Sequence, residues 1–452
     1  MYMQSLFLVL AFIVIVGVIV ITICIFFRNG KLVIKRVITP LMIASVILPP
    51  IGMPLQMPAI RLELILVLVA WLLFLLGSLS TGGRIKLKWN PVYKWFFVFG
   101  ITILASIVYA TLVKVYYPVV SDFWEFGKLL EYFLIFALIA NLEISLIDLK
   151  RYYLISLMIF SVSAIFGFAQ YWNIFNINSS AIISYYAPTQ TIGLLSWGHR
   201  IVGTTGNPNE FAALMVLAAS LALAGALWLE DKNERLFSWL GFIVFSFSVI
   251  LTLSRSGLIG LIVASAFILF FKYPMYFRFK GILRLVFAII PILLIIVFIL
   301  IKLSPSTLFF RIESVLSPTT DTSFQVRLLM WNYNLEIWKQ SPLLGWGAGK
   351  ATMTTIVDNE WILLLRRYGI IGLTIFLIWF TKIYSYLSQI VKENSSNYTK
   401  AIAIGLQAIF PAYAVYMTFA AVYHSLQLMP IFMLYLGLIY SQGKFARRVH
   451  QV

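Results

Sequence analysis

The feature that most constrains this chain is a long succession of apolar segments, each about as long as a membrane-spanning helix. A helix that crosses the hydrocarbon core of a bilayer needs about 20 mostly apolar residues. Of the 452 residues, 62% are hydrophobic and 11% are charged, whereas a soluble domain would carry about a quarter charged residues. The alternating segments that build a membrane β-barrel are not evident in the sequence. The chain is therefore predicted to be an all-α, polytopic integral membrane protein.

We predict thirteen spans, within a range of 12–14, that form a single membrane domain over residues 1–452. The first, 5–27, is too long for the apolar region of a cleavable signal and has no small-residue cleavage site. The second is interrupted by "PPIGMP". The predicted spans are 5–27, 37–53, 62–80, 92–113, 122–141, 152–172, 209–229, 236–253, 256–273, 282–303, 361–381, 399–420 and 424–441.

Lysine and arginine clusters follow the odd-numbered spans in seven separate places along the chain. Because basic residues are retained on the cytoplasmic side, this pattern predicts an outside N-terminus and an inside C-terminus. The long connections 173–208 and 304–360 then lie outside, as does the turn "SRSG" at 254–257. This orientation places several arginines on the outer face, where the rule leaves few of them: Arg200, Arg255, Arg311 and Arg327.

The overall charge, the cysteine and the histidines exclude several classes of site. The net charge of +18 is explained by cytoplasmic loops better than by nucleic-acid binding. Cys24 is the single cysteine, which excludes disulfides and cysteine-based metal sites. The three histidines, His199, His424 and His450, are too scattered to suggest a zinc site. We predict neither a metal nor a cofactor.

Arg255 lies in "LTLSRSGLIG", between two apolar runs. Snorkelling to the headgroups would explain one arginine near the end of a span. Several outer arginines at loop–membrane junctions favour an anionic ligand instead, because a guanidinium offers a fixed fork of donors that suits phosphate. Ser256 is predicted to cap the following helix, and Gly257 to allow close packing.

Arg200 precedes a glycine-rich turn in "HRIVGTTGNPNEFAALM", residues 199–215. Asn209, which ends "GNPN", is predicted to cap the next span, with Asn207 beside it. The free backbone N–H groups of a helix start favour anions. An ordinary junction between a loop and a helix remains the alternative.

The outer connection 304–360 contains aromatic, amphipathic sequence, including "FFRIESVLS" and a helix predicted over Val326–Lys339. Such a helix is suited to lie on the membrane and cover a cavity; a stabilising lid without chemistry is the alternative. "GWGAGK" lacks the full spacing of a phosphate-binding loop and the Ser or Thr after its lysine, so we reject that interpretation.

The segment "DNEWILLLRRYGIIGL" opens a span with Asp358 and Glu360 and places Arg366 and Arg367 about two turns further along. Charges at that depth usually face a bundle interior or a water-filled cavity. Pairing with acidic residues on another helix is the alternative. A candidate partner stretch has charged residues at every third position, on one side of a helix: Asp122, Glu125, Lys128 and Glu131.

These segments occur in the order typical of the O-antigen ligase/O-antigen polymerase superfamily, which the chain resembles over residues 195–380. The resemblance implies a metal-independent, inverting membrane glycosyltransferase with a GT-C-like fold. Its substrates would be glycans linked to undecaprenyl pyrophosphate, at the outer face of the bacterial inner membrane. By motif, Arg200 and Arg255 would bind the pyrophosphate, and Arg327 matches the arginine that opens the helix of the large outer loop. Ligases carry a histidine where this chain has Asp358, which favours a polymerase.

The implied chemistry needs cations at the departing pyrophosphate and a base for the acceptor hydroxyl. Asp358 is the first choice for that base, followed by Glu360 or Glu313. The remaining predicted substrate-binding residues are Arg311, Arg327, Asn207, Asn209, Asn359, Arg366, Arg367 and Lys128.

The predicted function is polymerisation of an O-antigen or exopolysaccharide, with membrane lipid and a chain-length regulator protein as further partners. One alternative is a ligase that passes glycan to lipid A core or to protein. The other is a transporter or flippase of lipid-linked glycan, which would be expected to show two related halves; no internal repeat is evident in this sequence.

Overall fold

The structure is a computed structural model. It describes residues 27–28, 31–32, 34–48, 61–80, 91–179, 183, 200–273, 322–349, 353, 357–393, 396–425 and 427–449. The helices in these ranges are α1 (Ile38–Val46), α2 (Leu62–Ser80), α3 (Pro91–Val113), α4 (Val120–Asn141), α5 (Leu146–Tyr171), α6 (Pro208–Trp228), α7 (Lys232–Leu251), α8 (Arg255–Lys272), α9 (Thr322–Lys339), α10 (Glu360–Lys392), α11 (Asn397–Tyr416) and α12 (Leu428–Val449).

The described part of the chain is a helical membrane fold. Six of its helices are long and apolar enough to cross a membrane by length and composition: α3, α5, α6, α7, α8 and α10. The predicted span 282–303 and residues 5–26 of the first predicted span lie outside the described residues, whereas Phe27 lies in a short strand. Each of the other predicted spans overlaps one of the helices above.

The second predicted span, 37–53, differs most from its expectation. A two-stranded antiparallel hairpin, β1 (Phe27–Arg28) with β2 (Lys31–Leu32), comes first, and a 3-10 helix, Ile34–Val37, leads into α1. With nine residues, α1 is about 14 Å long, less than half the hydrocarbon thickness. The described part of this segment is therefore too short to span.

Helix α6 is the centre of the bundle. Within its apolar window 89% of the residues are buried, since α7, α8 and α11 all pack against it. Its sequence "FAALMVLAASLALAGALW" is rich in small residues, which let neighbouring backbones approach closely. Asn207 caps its first turn and Pro208 begins it. This central position fixes where the start of α6, just after Arg200, lies.

Helix α10 is divided by a kink at Gly369, whose φ of 64° and ψ of −169° are not helical. The loop after α9 packs into this break: the N–H of Ile370 donates to Pro342 O at 2.9 Å, and that of Trp346 donates to Arg366 O at 2.9 Å. A Cβ at position 369 would lie 2.1 Å from Leu343 O, so only glycine fits here. The charged stretch of α10 is thus a separate short helix, Glu360 to Tyr368.

The amphipathic helix predicted over Val326–Lys339 is present as α9, which begins earlier, at Thr322. One side packs on α10, with Trp331 and Leu335 against a cluster of Val357, Ile362 and Leu363. The opposite side is exposed and apolar, with residues spaced three and four apart: Val326, Leu329 and Tyr333. The helix therefore covers the start of α10.

Candidate active site

The beginnings of three helices meet at the end of α11. Near the start of α6, Asn209 O accepts from the Tyr416 hydroxyl of α11. Ser254, which caps α8, donates its hydroxyl to Asn209 Oδ1 at 3.0 Å. The N–H of Glu360, which begins α10, donates to Met417 O at 2.7 Å. Since the amino end of a helix carries partial positive charge, three such ends here favour an anion.

Arg200 is held at this junction by two neutral oxygens. Its Nε donates to Thr252 O at 2.9 Å, and its Nη2 lies 3.5 Å from Asn209 Oδ1. A carbonyl and an amide orient the guanidinium at this place. We call the group formed by Arg200, Arg255, Asn209 and Ser254 the arginine site.

Arg255 is the first residue of α8 and is half-buried. The Oγ of Ser254 accepts from Gly257 N at 3.2 Å, so Ser254 is the helix cap and the predicted cap Ser256 is wrong. A Cβ at Gly257 would lie 2.7 Å from the Cβ of Ala212, which agrees with the predicted close packing. A cation at a helix start is unfavourable by itself and adds to the positive potential of the arginine site.

The cap of α6 also corrects an expectation. Asn207, and not Asn209, is the capping residue: its Oδ1 accepts from Asn209 N at 2.8 Å and from Glu210 N at 3.4 Å. The side chain of Asn209 is thereby left to contact Arg200 and Ser254. Asn207 therefore caps α6, and Asn209 bonds to Arg200 and Ser254.

Asp358 lies just before α10 and pairs with an arginine of α9. Its Oδ2 is 3.2 Å from Arg327 Nε, and the side chains are 40% and 28% exposed, respectively. The next residue, Asn359, caps α10 by accepting from Ile362 N at 3.1 Å. This pair ties the covering helix to the start of α10 at a solvent-accessible place.

A second group of charges is buried between α4, α10 and the connection from α11 to α12. Glu125 Oε2 lies 3.4 Å from Arg367 Nη1 and 3.0 Å from His424 Nε2, and its Oε1 lies 3.0 Å from Lys128 Nζ. Glu360 contacts His424 Nδ1. We call these five residues the charge cluster. Glu125 and Glu360 are at most 2% exposed.

Glu360 is fully engaged in this cluster. One carboxylate oxygen contacts His424 and the other accepts from Tyr423 N at 3.0 Å. Burial raises the pKa of the Tyr423 hydroxyl, which lies outside the helices. With both carboxylate oxygens occupied, Glu360 is better suited to hold the connection than to accept a proton from a substrate.

The predicted pairing of the two arginines with α4 holds for one of them. Arg367 reaches Glu125, whereas Arg366 donates to Asn334 Oδ1 of α9 at 2.7 Å. The other acids of α4 have partners outside α10. Asp122 accepts from the Tyr116 hydroxyl at 2.8 Å, and Glu131 lies 3.5 Å from Arg61 Nη1. Each buried charge of this stretch thus serves a different contact.

The structure places six of the thirteen predicted site residues in two neighbouring groups. In the arginine site, Arg200 contacts Asn209, and Arg255 follows Ser254, which also bonds to Asn209. Lys128, Glu360 and Arg367 lie in the charge cluster. Arg311 and Glu313 lie outside the described residues. Among the described residues, no group of three His, Cys, Asp or Glu side chains is arranged to hold a metal ion.

His424 and Glu210 are the residues that the sequence did not single out. Ser425 donates to Glu210 Oε2 at 3.0 Å, so consecutive residues of one connection reach the charge cluster and the start of α6. The sequence carries one usable signal for them: "YHSLQ" is a polar break between two apolar spans only a few residues apart. Its partners could not be read from spacing.

An apolar cavity of about 250 Å³ lies between α10, α11 and α12. It extends from Trp361, next to Glu360, to Tyr384, with Phe376, Phe410 and Met429 along its wall. The cavity therefore has Trp361, the neighbour of Glu360, on its lining, and its other walls are apolar side chains of α10, α11 and α12.

Residues 240–377 match the family model described as O-antigen ligase. The matched segment contains Arg255, Arg327, Asp358, Arg366 and Arg367, while Arg200 precedes it. No curated protein matches the chain. Over this segment the chain is similar to the O-antigen ligase/polymerase superfamily, a group of membrane glycosyltransferase-like enzymes whose substrates are lipid-linked glycans.

Proposed function

We propose that this protein is a polysaccharide polymerase. It transfers a growing glycan from undecaprenyl pyrophosphate onto a new lipid-linked repeat unit. The observation that carries the proposal is the meeting of three helix starts with Arg200 and Arg255 at the end of α11. Fixed donors and helix dipoles aimed at one place stabilise a departing anion.

In the proposed reaction, the acceptor hydroxyl attacks the anomeric carbon of the donor while the bond to the pyrophosphate oxygen breaks. Arg200 and Arg255 hold the pyrophosphate as its negative charge develops. Asp358 takes the proton of the hydroxyl. Arg327 orients that carboxylate through Oδ2, which leaves Oδ1 for the acceptor. No metal is required, because guanidinium groups supply the positive charge.

The lipid part of the donor has a matching environment. The apolar cavity that Trp361 lines suits the first isoprene units of a polyprenyl chain whose pyrophosphate lies nearby. Helix α9, with Arg327 and Asn334 on its inner side, would close over the sugars. We propose Arg366, Arg367, Lys128 and Asn359 as groups that shape the glycan-binding wall rather than as reacting groups.

We place the arginine site at the outer face of the bacterial inner membrane, as the distribution of basic residues predicts. This is tested with cysteines introduced after Cys24→Ala. Cysteine at Lys339, at the exposed end of α9, should react with an impermeant thiol reagent in intact cells; cysteine at Asn233, exposed at the start of α7, should not. The reverse labelling would put the arginines in the cytoplasm and reject the proposal.

Reconstitution tests the reaction itself. Purified protein in vesicles, given undecaprenyl-pyrophosphate-linked repeat units, should lengthen the glycan without added metal and in the presence of a chelator. A chain-length regulator protein added to the vesicles should change the product length. Unchanged substrate in the chelator-treated and the metal-supplied reactions would refute polymerisation.

A ligase is the second candidate, because the matched family is described as O-antigen ligase. The same vesicles supplied with lipid A core in place of a second repeat unit distinguish the two. Polymerisation lengthens the lipid-linked glycan, whereas ligation moves it once onto the core. Transfer to the core alone would assign ligation.

A further inference from the structure

His424 lies on the connection between α11 and α12, where no helix holds it. Its neighbours anchor that connection on both sides: Tyr423 N donates to Glu360 Oε2 at 3.0 Å, and Ser425 donates to Glu210 Oε2 at 3.0 Å. The imidazole is 11% exposed. The ring is thus fixed at the junction of α4, α6 and α10.

The partners of the imidazole determine where its proton lies. Nδ1 faces a carboxylate oxygen of Glu360, which can only accept a hydrogen bond. Nε2 lies 2.6 Å from Arg367 Nη1, which can only donate. The bonds to Glu360 and Arg367 are made at once only by a neutral ring with its proton on Nδ1, whereas a bond to Glu125 Oε2, 3.0 Å from Nε2, needs a proton on Nε2. In the neutral Nδ1–H state His424 is a bridge that carries no charge of its own.

We propose that His424 is a positioning residue of the transfer reaction: as a neutral Nδ1–H imidazole it fixes Arg367 and Glu360, and protonation at Nε2 releases Arg367. A proton on Nε2 would turn that nitrogen into a donor, and the acceptor it faces is Glu125 Oε2 at 3.0 Å. The imidazolium and the guanidinium would then repel each other. This proposal rests on the proposed function for its link to turnover.

The surrounding charges set the direction of the effect. The groups that face this ring and its partners come from three helices and from the connection itself: Asp122, Glu125 and Lys128 of α4, Glu360 and Arg367 of α10, Glu210 of α6 and Tyr423. Glu125 stands between Lys128 and Arg367 at rest. Glu125 is therefore the acid that would accept a hydrogen bond from Nε2 of a protonated His424.

The proton position is measured directly by nitrogen NMR of protein labelled at histidine. The chain has three histidines, so the signal that is lost in His424→Gln is the one of His424. We expect the Nδ1–H tautomer at neutral pH, and a change in the Nε2 signal in Arg367→Lys. An Nε2–H tautomer or an imidazolium at neutral pH would overturn the proposal, whether or not the protein polymerises glycan.

Turnover supplies the second measurement. In wild-type vesicles the polymerisation rate should fall on the acid side as His424 takes up its proton. His424→Gln keeps one hydrogen bond and should lower the rate by about tenfold, and its acid limb should be the one that the base Asp358 alone produces. His450→Gln, the same change at another histidine, should keep the wild-type profile. An acid limb in His424→Gln that coincides with the wild-type limb would refute the positioning role.

If wild-type vesicles make no polymer at any pH, the proposed function is refuted. The His424 proposal is then tested by the NMR measurement of the tautomer only. Thermal unfolding of His424→Gln separates a folding defect from a positioning defect. We expect the changed pH profile of the variant at a temperature where the variant is fully folded. A rate loss that follows the folded fraction would count against the proposal.

Discussion

The arginine site and the charge cluster lie on either side of the connection between α11 and α12, yet their arginines have different kinds of partner. Arg367 contacts Glu125 and His424 inside the bundle. Its ion pair with Glu125 joins α10 to α4. Arg200 contacts a carbonyl and an amide at the place where three helix starts meet. We propose that arginines of the first kind stabilise the fold and that those of the second kind act on a ligand.

The largest effect that tests this contrast is on stability. Arg367→Gln leaves the buried carboxylate of Glu125 with one cation fewer, and removing one partner of a buried pair costs about 3–5 kcal/mol. We expect that loss in the free energy of unfolding, measured in detergent. Adding Glu125→Gln should recover part of it, since the two changes are coupled.

Arg327→Gln is the matched control, because its pair with Asp358 is exposed by 28% and 40%. Exposed pairs contribute about 0–1 kcal/mol. If Arg327→Gln and Arg367→Gln destabilise the protein equally, the charge cluster has no special structural role and the comparison fails.

The next effect is on turnover. Asp358→Asn keeps the size of the side chain and removes the proton acceptor, so the transfer rate should fall about 1000-fold. Binding of undecaprenyl pyrophosphate should persist, because Arg200 and Arg255 are untouched. A fall in lipid affinity equal to the fall in rate would show that Asp358 orders the site through Arg327 and does not act as a base.

A feature of this architecture can be predicted from the sequence when residues close together in the chain determine it. The spans follow from the length of apolar runs. The meeting of Arg200 with the turn at Arg255 follows from the parity of the spans, since α6 and α8 both begin at the end where α11 finishes. Such features are decided by local sequence and the order of the helices.

Features decided by long-range packing could not be predicted. The kink at Gly369 depends on Leu343 and its neighbours, which fill the break from a separate loop. The role of His424 depends on Glu125, about 300 residues earlier in the chain. The caps were missed for a smaller reason: Asn207 and Asn209 are both good caps, and Pro208 at the first helical position decides between them.

Arg255→Lys sharpens the comparison from the side of the arginine site. It keeps the charge and loses the fork of donors, so we expect about a 100-fold loss of turnover with unfolding unchanged. Lys232→Arg is the matched control. Lys232 is the first residue of α7 as Arg255 is of α8, but at the opposite end of the bundle. Near-normal turnover in Arg255→Lys would favour snorkelling over ligand binding.

The smallest effect concerns Ser254, whose hydroxyl both caps α8 and bonds to Asn209 Oδ1 at 3.0 Å. Ser254→Ala should cost about 1 kcal/mol of stability for the lost cap. It should also lower turnover by about fivefold, because the amide that orients Arg200 loses a hydrogen bond worth about 1 kcal/mol.

Ser396→Ala is the matched control. It removes a cap that accepts from Thr399 N at 3.3 Å, at the start of α11 and thus at the other end of the bundle. Both variants should lose the stability of one cap, with a further loss in Ser254→Ala for the bond to Asn209, while turnover should fall in Ser254→Ala alone. Equal turnover in both would mean that the neutral oxygens around Arg200 do not control its use, and the contrast with the charge cluster would lose its functional meaning.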